Sequence, residues 1–275
     1  MQKLLVLQSL WSMEDLQPGR ERSLEENVRL IAEAGFDGIG AAWTEPDAAA
    51  RVAALARGHG LVVEGVAFPR DVDGLKPVLE LGAAHGLHHL NIQPDVRPRS
   101  QREAVAILEG WQRLAEQVAY PVNIETHRNK LTNDLLVLLD LLDSLPALRL
   151  TADLSHLVVA REVPLPVPAE IEAQIRAVLD RSFALHGRVS TASQVQVPFG
   201  FAQHAPWLAQ YRDWWRWGMQ SWRARAGTDA ALPFLCELGP RPYALSGADG
   251  GELSDRWAES RQLAAIARAL WADPA

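Results

Sequence analysis

Four short β-rich runs each carry an ionisable side chain near the carboxyl end. Glu125 stands in YPVNIET (120–126), Asp153 in LRLTAD (148–153), His186 in FALHGRV (183–189) and Glu237 in PFLCELG (233–239). Strand side chains alternate between two faces, which sets Val122 and Ile124 against Asn123 and Glu125. The same alternation sets Leu150 and Ala152 against Thr151 and Asp153, Phe183 and Leu185 against His186 and Arg188, and Phe234 and Cys236 against Glu237. A charge inside a strand buried on both faces needs a reason. Three carboxylates and an imidazole meeting in a low-dielectric site repel one another strongly if unpaired; a divalent cation resolves this, the alternative being that Arg or backbone groups satisfy each one separately. The donor set is mostly hard oxygen and suits Mn or Mg, with Co or Zn also able to bind.

Other residues gather around these four in the sequence pattern. HHLNIQ (88–93) repeats the alternation, with Leu90 and Ile92 against Asn91 and Gln93. Gln93 and Asn123 are candidate substrate contacts on the polar face, and Gln194 and Gln196 are candidate hydroxyl contacts. His156, three residues beyond Asp153, can fold back over the same mouth and contact substrate or a ligand; its alternative role is to cap the following helix. Arg188 brings a positive charge that suits a substrate carboxylate or phosphate, or else a partner for surplus carboxylate in the site. Trp11 and Trp43 follow the first two strands, where they can line the mouth and stack on a substrate. His127 is open between a loop and a site role. His59, His85, His88, His89 and His204 lack ligand spacing and are read as surface or packing residues.

The elements that must position these residues alternate along the whole chain. Strands are expected at 3–9, 36–42, 61–68, 88–93, 120–126, 148–153, 183–189 and 233–239. Helices are expected between them at 23–35, 102–117, 132–145, 168–180, 206–227 and 253–271. In the first, Ser23 and Glu26 have capping-box spacing and Gly35 is a stop signal. Eight βα units predict a single-domain (β/α)8 barrel over 1–275, with active-site loops at the carboxyl ends of the strands. The alternative, an open doubly wound sheet, calls for a glycine-rich loop after the first strand, and QSLWSMED has no glycine.

Composition narrows the setting. With 275 residues, 48% hydrophobic and 22% charged, the chain can bury a large core and does not read as disordered. A net charge of -7 without a basic run makes nucleic acid a poor partner. No stretch is apolar enough to span a membrane, since LLVLLDLLDSL carries Asp140 and Asp143. The single Cys236 suits a reducing cytoplasm. Trp214, Trp215, Trp217 and Trp222 crowd one helix, either packed on the barrel or buried in a homodimer.

Taken together, N-I-E-T-H (123–127), D-L-S-H (153–156), L-H-G-R (185–188) and C-E-L-G-P (236–240) resemble the xylose isomerase-like TIM barrels. That superfamily spans ketose 3-epimerases, hydroxypyruvate isomerase, inosose dehydratase, sugar phosphate isomerase/epimerases and endonuclease IV, and the resemblance covers essentially the whole chain. It implies one divalent metal on Glu125, Asp153, His186 and Glu237, with His156 as a substrate ligand. E-L-G-P-R-P-Y (237–243) also looks like a signature of sugar-isomerase-like members. The implied activity is isomerisation or epimerisation of a sugar, sugar phosphate or related hydroxy-carbonyl compound. The metal stabilises an enediolate while Glu125 and Glu237 exchange the proton. The sequence departs from characterised sugar epimerases after His186, where H-G-R-V-S-T-A-S-Q-V-Q replaces an acidic or amide-rich stretch.

Three other functions compete. Dehydration of a polyol or cleavage beside a carbonyl begins with the same proton abstraction. An endonuclease IV-like trinuclear zinc centre needs more histidines, yet LVVEGVAF (61–68) has none and Gln194 and Gln196 stand in place of an Asp-x-His pair. A barrel that binds a sugar-like ligand without catalysis is the third.

Overall fold

Parallel pairing joins each strand to the next, and the eighth closes on the first. The structure, a computed structural model, describes residues 1–16 and 20–273. The order is β1 (Lys3–Ser9), α1 (Leu24–Glu33), β2 (Gly38–Ala42), α2 (Pro46–Gly58), β3 (Val62–Ala67), α3 (Lys76–His85), β4 (His89–Ile92), α4 (Gln101–Ala115) and β5 (Val122–Glu125). It continues with α5 (Leu135–Ser144), β6 (Leu150–Ala152), α6 (Leu154–Ala160), α7 (Ala169–Leu179), β7 (Ser182–Gly187), α8 (Ala205–Arg225), β8 (Ala231–Cys236) and α9 (Arg256–Ala272). The strands form a closed barrel β1-β2-β3-β4-β5-β6-β7-β8, the expected (β/α)8 architecture.

Local signals set the boundaries. Ser23 Oγ accepts from Glu26 N while the Glu26 carboxylate accepts from Ser23 N, so the capping box at the start of α1 is complete. Gly35 ends that helix at φ +78°, a conformation only glycine adopts at no steric cost. The sequence reading did not name α2, α3 or α6. The last is the most instructive, because D-L-S-H folds as a helix start: Asp153 caps α6 and accepts from Ser155 N at 2.9 Å.

An apolar layer lies between the strands and the helices. Val6, Ile39, Val63, Leu90, Ile92, Ile124, Leu185 and Phe234 belong to the core under the helices. Most of the tryptophans of α8 are used within the chain. Trp214 and Trp215 are at most 1% exposed, Trp222 is also buried, and Trp214 Nε1 donates to Glu172 at 2.7 Å. Trp217 lies under the Arg176 guanidinium, 4.2 Å from its ring centroid. Among the described residues, no helix is long and apolar enough to cross a membrane.

Candidate metal centre

Register decides which strand residues face the barrel axis. In β3 to β7 the pairings Glu64↔His89, Asn91↔Asn123, Glu125↔Thr151 and Thr151↔Ala184 place these side chains on one face, with His186 two residues past Ala184. Glu125 ends β5, Asp153 follows β6, His186 lies near the end of β7 and Glu237 follows β8. One ligand atom from each of these four lies within 4.8 Å of the others. Glu125, Asp153 and His186 are at most 1% exposed, and Glu237 is 7% exposed.

Charge in this cluster is finely partitioned. His186 Nδ1 is 3.0 Å from Glu237 Oε2 and 3.9 Å from Glu125 Oε2. Arg188 donates from Nη2 to Glu237 Oε2 at 2.9 Å and from Nε to the Glu237 carbonyl at 2.8 Å, while Nη1 lies 3.4 Å from Asp153 Oδ2. Asn91 Nδ2 donates to Glu125 Oε2. Burial, together with the Glu237 and Asp153 charges, pushes Glu125 up to about 8 despite His186. Asp153 is raised by burial as well. Burial works against Glu237 too, but Arg188 and His186 hold it below the usual carboxylate range. For His186, burial is outweighed by Glu64, Glu237 and Glu125, which keep the imidazole protonated well above its ordinary range.

The four residues fit a divalent cation. Glu125 Oε1 and Asp153 Oδ2 are buried with no hydrogen-bond partner, which is costly for carboxylate oxygens unless something binds them. Three carboxylates and one imidazole nitrogen, closely grouped, are the donors a hard dication takes.

A cleft of ≈ 640 Å³ opens above them, bordered by Glu237, Arg188, Gln93, Trp11, Phe68 and Tyr243 among others. Its wall is clasped by aromatic packing. The Trp11 ring meets Tyr243 edge-on at 5.1 Å and lies so close over Gly239 that a Cβ there would come within 2.1 Å of it. Gln196 holds the same loop with both amide atoms, donating to Gly239 O at 2.9 Å and accepting from Gly239 N at 2.8 Å.

Other expected contacts fall elsewhere. Trp43 is fully buried, with its ring against His85 and Gly65, because it follows the axis-facing Ala42 and so points outward to the helices. Asn123 shares a face with Glu125 but lies two residues, roughly 6.6 Å, down the strand. It accepts from Arg149 Nε at 3.3 Å and borders a ≈ 420 Å³ cavity with His88, His89 and Arg225 at the amino ends of the strands. His156 is fully buried behind His127, whose ring stacks on it at 3.7 Å and itself borders the cleft. Burial, His127 and Arg188 hold His156 neutral, so its Nε2 accepts from Arg188 Nη1 at 3.2 Å. Gln194 is exposed and Gln196 serves the loop. Buried Glu64, hydrogen-bonded to His186, and buried His89, hydrogen-bonded to Glu64, were not singled out in the sequence, although a glutamate centred in an apolar strand is itself a signal.

Neither a protein-family profile nor any curated protein matches the sequence. Solved structures match it in fold. A xylose isomerase-like TIM barrel protein from Mycobacterium smegmatis, in complex with magnesium, aligns at TM-score 0.63 and 15% identity over 99% of this chain and 98% of that one. The D-psicose 3-epimerase of Clostridium cellulolyticum H10 aligns at 0.61 and 11% over 98% and 99%. An AP endonuclease of family 2 from Brucella melitensis aligns at 0.55 and 15% over 88% and 94%. Proteins of different chemistry thus share this architecture, and what the likeness establishes is the fold: the chain is a (β/α)8 barrel.

Proposed function

We propose that the protein is a divalent-metal-dependent isomerase or epimerase of a sugar, sugar phosphate or related hydroxy-carbonyl compound. The observation that carries this reading is the grouping of Glu125, Asp153, His186 and Glu237 within 4.8 Å, two of their oxygens without a hydrogen bond, beside a cleft of ≈ 640 Å³. The structural neighbours that are sugar epimerases support it. A bound dication would polarise the substrate carbonyl and stabilise the charge that develops on it.

The chain's own residues supply the rest. Glu237 borders the cleft and is the carboxylate a substrate reaches first, whereas Glu125 lies deeper. β5 and β8 are three strands apart around the barrel, so the two carboxylates enter from well separated directions. That separation suits removal of a proton by one and delivery by the other. Arg188 keeps Glu237 ionised and fixed by holding both its carboxylate and its carbonyl. Trp11, Phe68 and Tyr243 supply ring surfaces against which a sugar can lie and from which water is excluded.

The test is metal analysis joined to solvent-deuterium incorporation across ketoses, sugar phosphates and hydroxy-keto acids. The expected result is metal-dependent exchange beside the carbonyl of one substrate, lost in Glu125→Gln and Glu237→Gln variants that retain metal. Full exchange in either variant would end the two-glutamate mechanism.

A further inference from the structure

Below the candidate ligands a line of polar side chains continues down the barrel axis. His186 presents Nδ1 to Glu237 Oε2 at 3.0 Å and Nε2 to Glu64 Oε1 at 2.8 Å, across 122 residues of sequence. Glu64 places its other oxygen, Oε2, 2.8 Å from His89 Nε2, and these two are register neighbours in the β3–β4 pairing. His89 Nδ1 meets His88 Nδ1 at 3.0 Å, and His88 borders the ≈ 420 Å³ cavity at the other end of the barrel. Glu64, His89 and His186 are each at most 1% exposed.

Packing gives no reason for a glutamate at this place. An aliphatic side chain would fill the layer without the several kcal/mol that burying a carboxylate costs. Each oxygen of Glu64 has one imidazole partner, one of them a candidate ligand. An imidazole can bind a cation through either nitrogen, and the hydrogen bond at the other nitrogen decides which. With Nε2 held on Glu64 as the donor, Nδ1 is the nitrogen left to face Glu125, Asp153 and Glu237.

We infer that Glu64 is a positioning residue for the metal centre, fixing His186 with Nε2–H inward and Nδ1 toward the three carboxylates, and that His89 holds Glu64 in turn. This rests on the metal reading given above.

The test compares wild type, Glu64→Gln, Glu64→Met and the distant control Glu259→Gln by titration with Mn²⁺ alone, and by ¹⁵N NMR of the imidazoles in metal-free protein. Glutamine keeps an acceptor for His186 but not the charge; methionine keeps the volume and neither. The expected result is Mn²⁺ binding weakened roughly 10-fold in Glu64→Gln and roughly 100-fold in Glu64→Met, with the control unchanged. A slowly exchanging His186 Nε2–H resonance should be present in wild type and in Glu64→Gln, and lost in Glu64→Met. Mn²⁺ affinities within twofold of wild type in both Glu64 variants would overturn the inference, as would a wild type without that resonance. If wild type shows the resonance but binds no Mn²⁺, the metal reading fails while the orienting contact stands. Should Glu64→Met not fold, Glu64→Gln alone decides through its affinity.

Discussion

Arg188 grips Glu237 at two places, Nη2 to the carboxylate at 2.9 Å and Nε to the backbone carbonyl at 2.8 Å, while being only 1% exposed itself. The guanidinium thus pairs with the site's own carboxylates while also bordering the cleft.

Removing that cation leaves Glu237 and Asp153 buried beside one another. Metal-free Arg188→Met should lose about 3–5 kcal/mol of stability, the cost of stripping one partner from a buried pair. Added Mn²⁺ should raise the melting temperature more in this variant than in wild type, because the dication replaces the lost charge. Thermal melts with and without MnCl₂ check this; equal shifts in both proteins would count against a metal at this place.

Glu125, pushed up to about 8 by burial and by its acidic neighbours, holds a proton at pH 7 in the metal-free protein. A ligand carboxylate must give that proton up. Metal binding should release at least one proton, and below about pH 8 affinity should rise by about tenfold or more per pH unit. Calorimetry in buffers of different ionisation enthalpy reads the release directly, and no buffer dependence at pH 6.5 would refute it.

Trp11 and Trp43 should behave oppositely. Trp43→Ala empties a fully buried ring site and should cost about 3–5 kcal/mol in denaturant unfolding, with Mn²⁺ affinity unchanged. Trp11→Ala removes a half-buried cleft wall and should cost less stability while weakening substrate binding. A reversed pattern would return Trp43 to the mouth.

Glu259, on α9, is raised to about 7 by burial, with Asp255 and Glu252 adding to it against a hydrogen bond from Ser254 at 3.1 Å. Its folded pKa exceeds its unfolded value, so its favourable contribution is complete below about 4.5 and is lost as pH rises toward 7. Glu259→Gln should therefore be more stable than wild type at pH 8, by on the order of 1 kcal/mol, and should lose the advantage at pH 4. Melting curves at the two values check the sign.

Alternation within single strands made the four candidate ligands legible, because a charge between apolar neighbours is visible in a window of six residues. The same rule reaches Glu64 in LVVEGVAF, yet its meaning depends on His186, 122 residues away, and only barrel closure brings them together. Face alone does not give depth, which is why Asn123 was grouped with Glu125 although it sits nearer the opposite end. Trp43 was read as lining the mouth when its parity after Ala42 already pointed it outward. The eight strands were readable to within a few residues because turn and cap chemistry flanks them; α6 was not, since its seven residues are too few to show a helical period.

The cleft wall is made where β1 meets β8, with Trp11 from one side lying on Gly239 from the other and Leu7 paired to Leu235 across the seam. A nascent chain still on the ribosome, with β8 in the exit tunnel, has seven strands, an open edge along β1, and neither Glu237 nor the surface on which Trp11 rests. The complete cleft must consequently appear late and all at once in the life of each molecule, and a truncation anywhere before residue 231 would remove it however well the remainder collapsed.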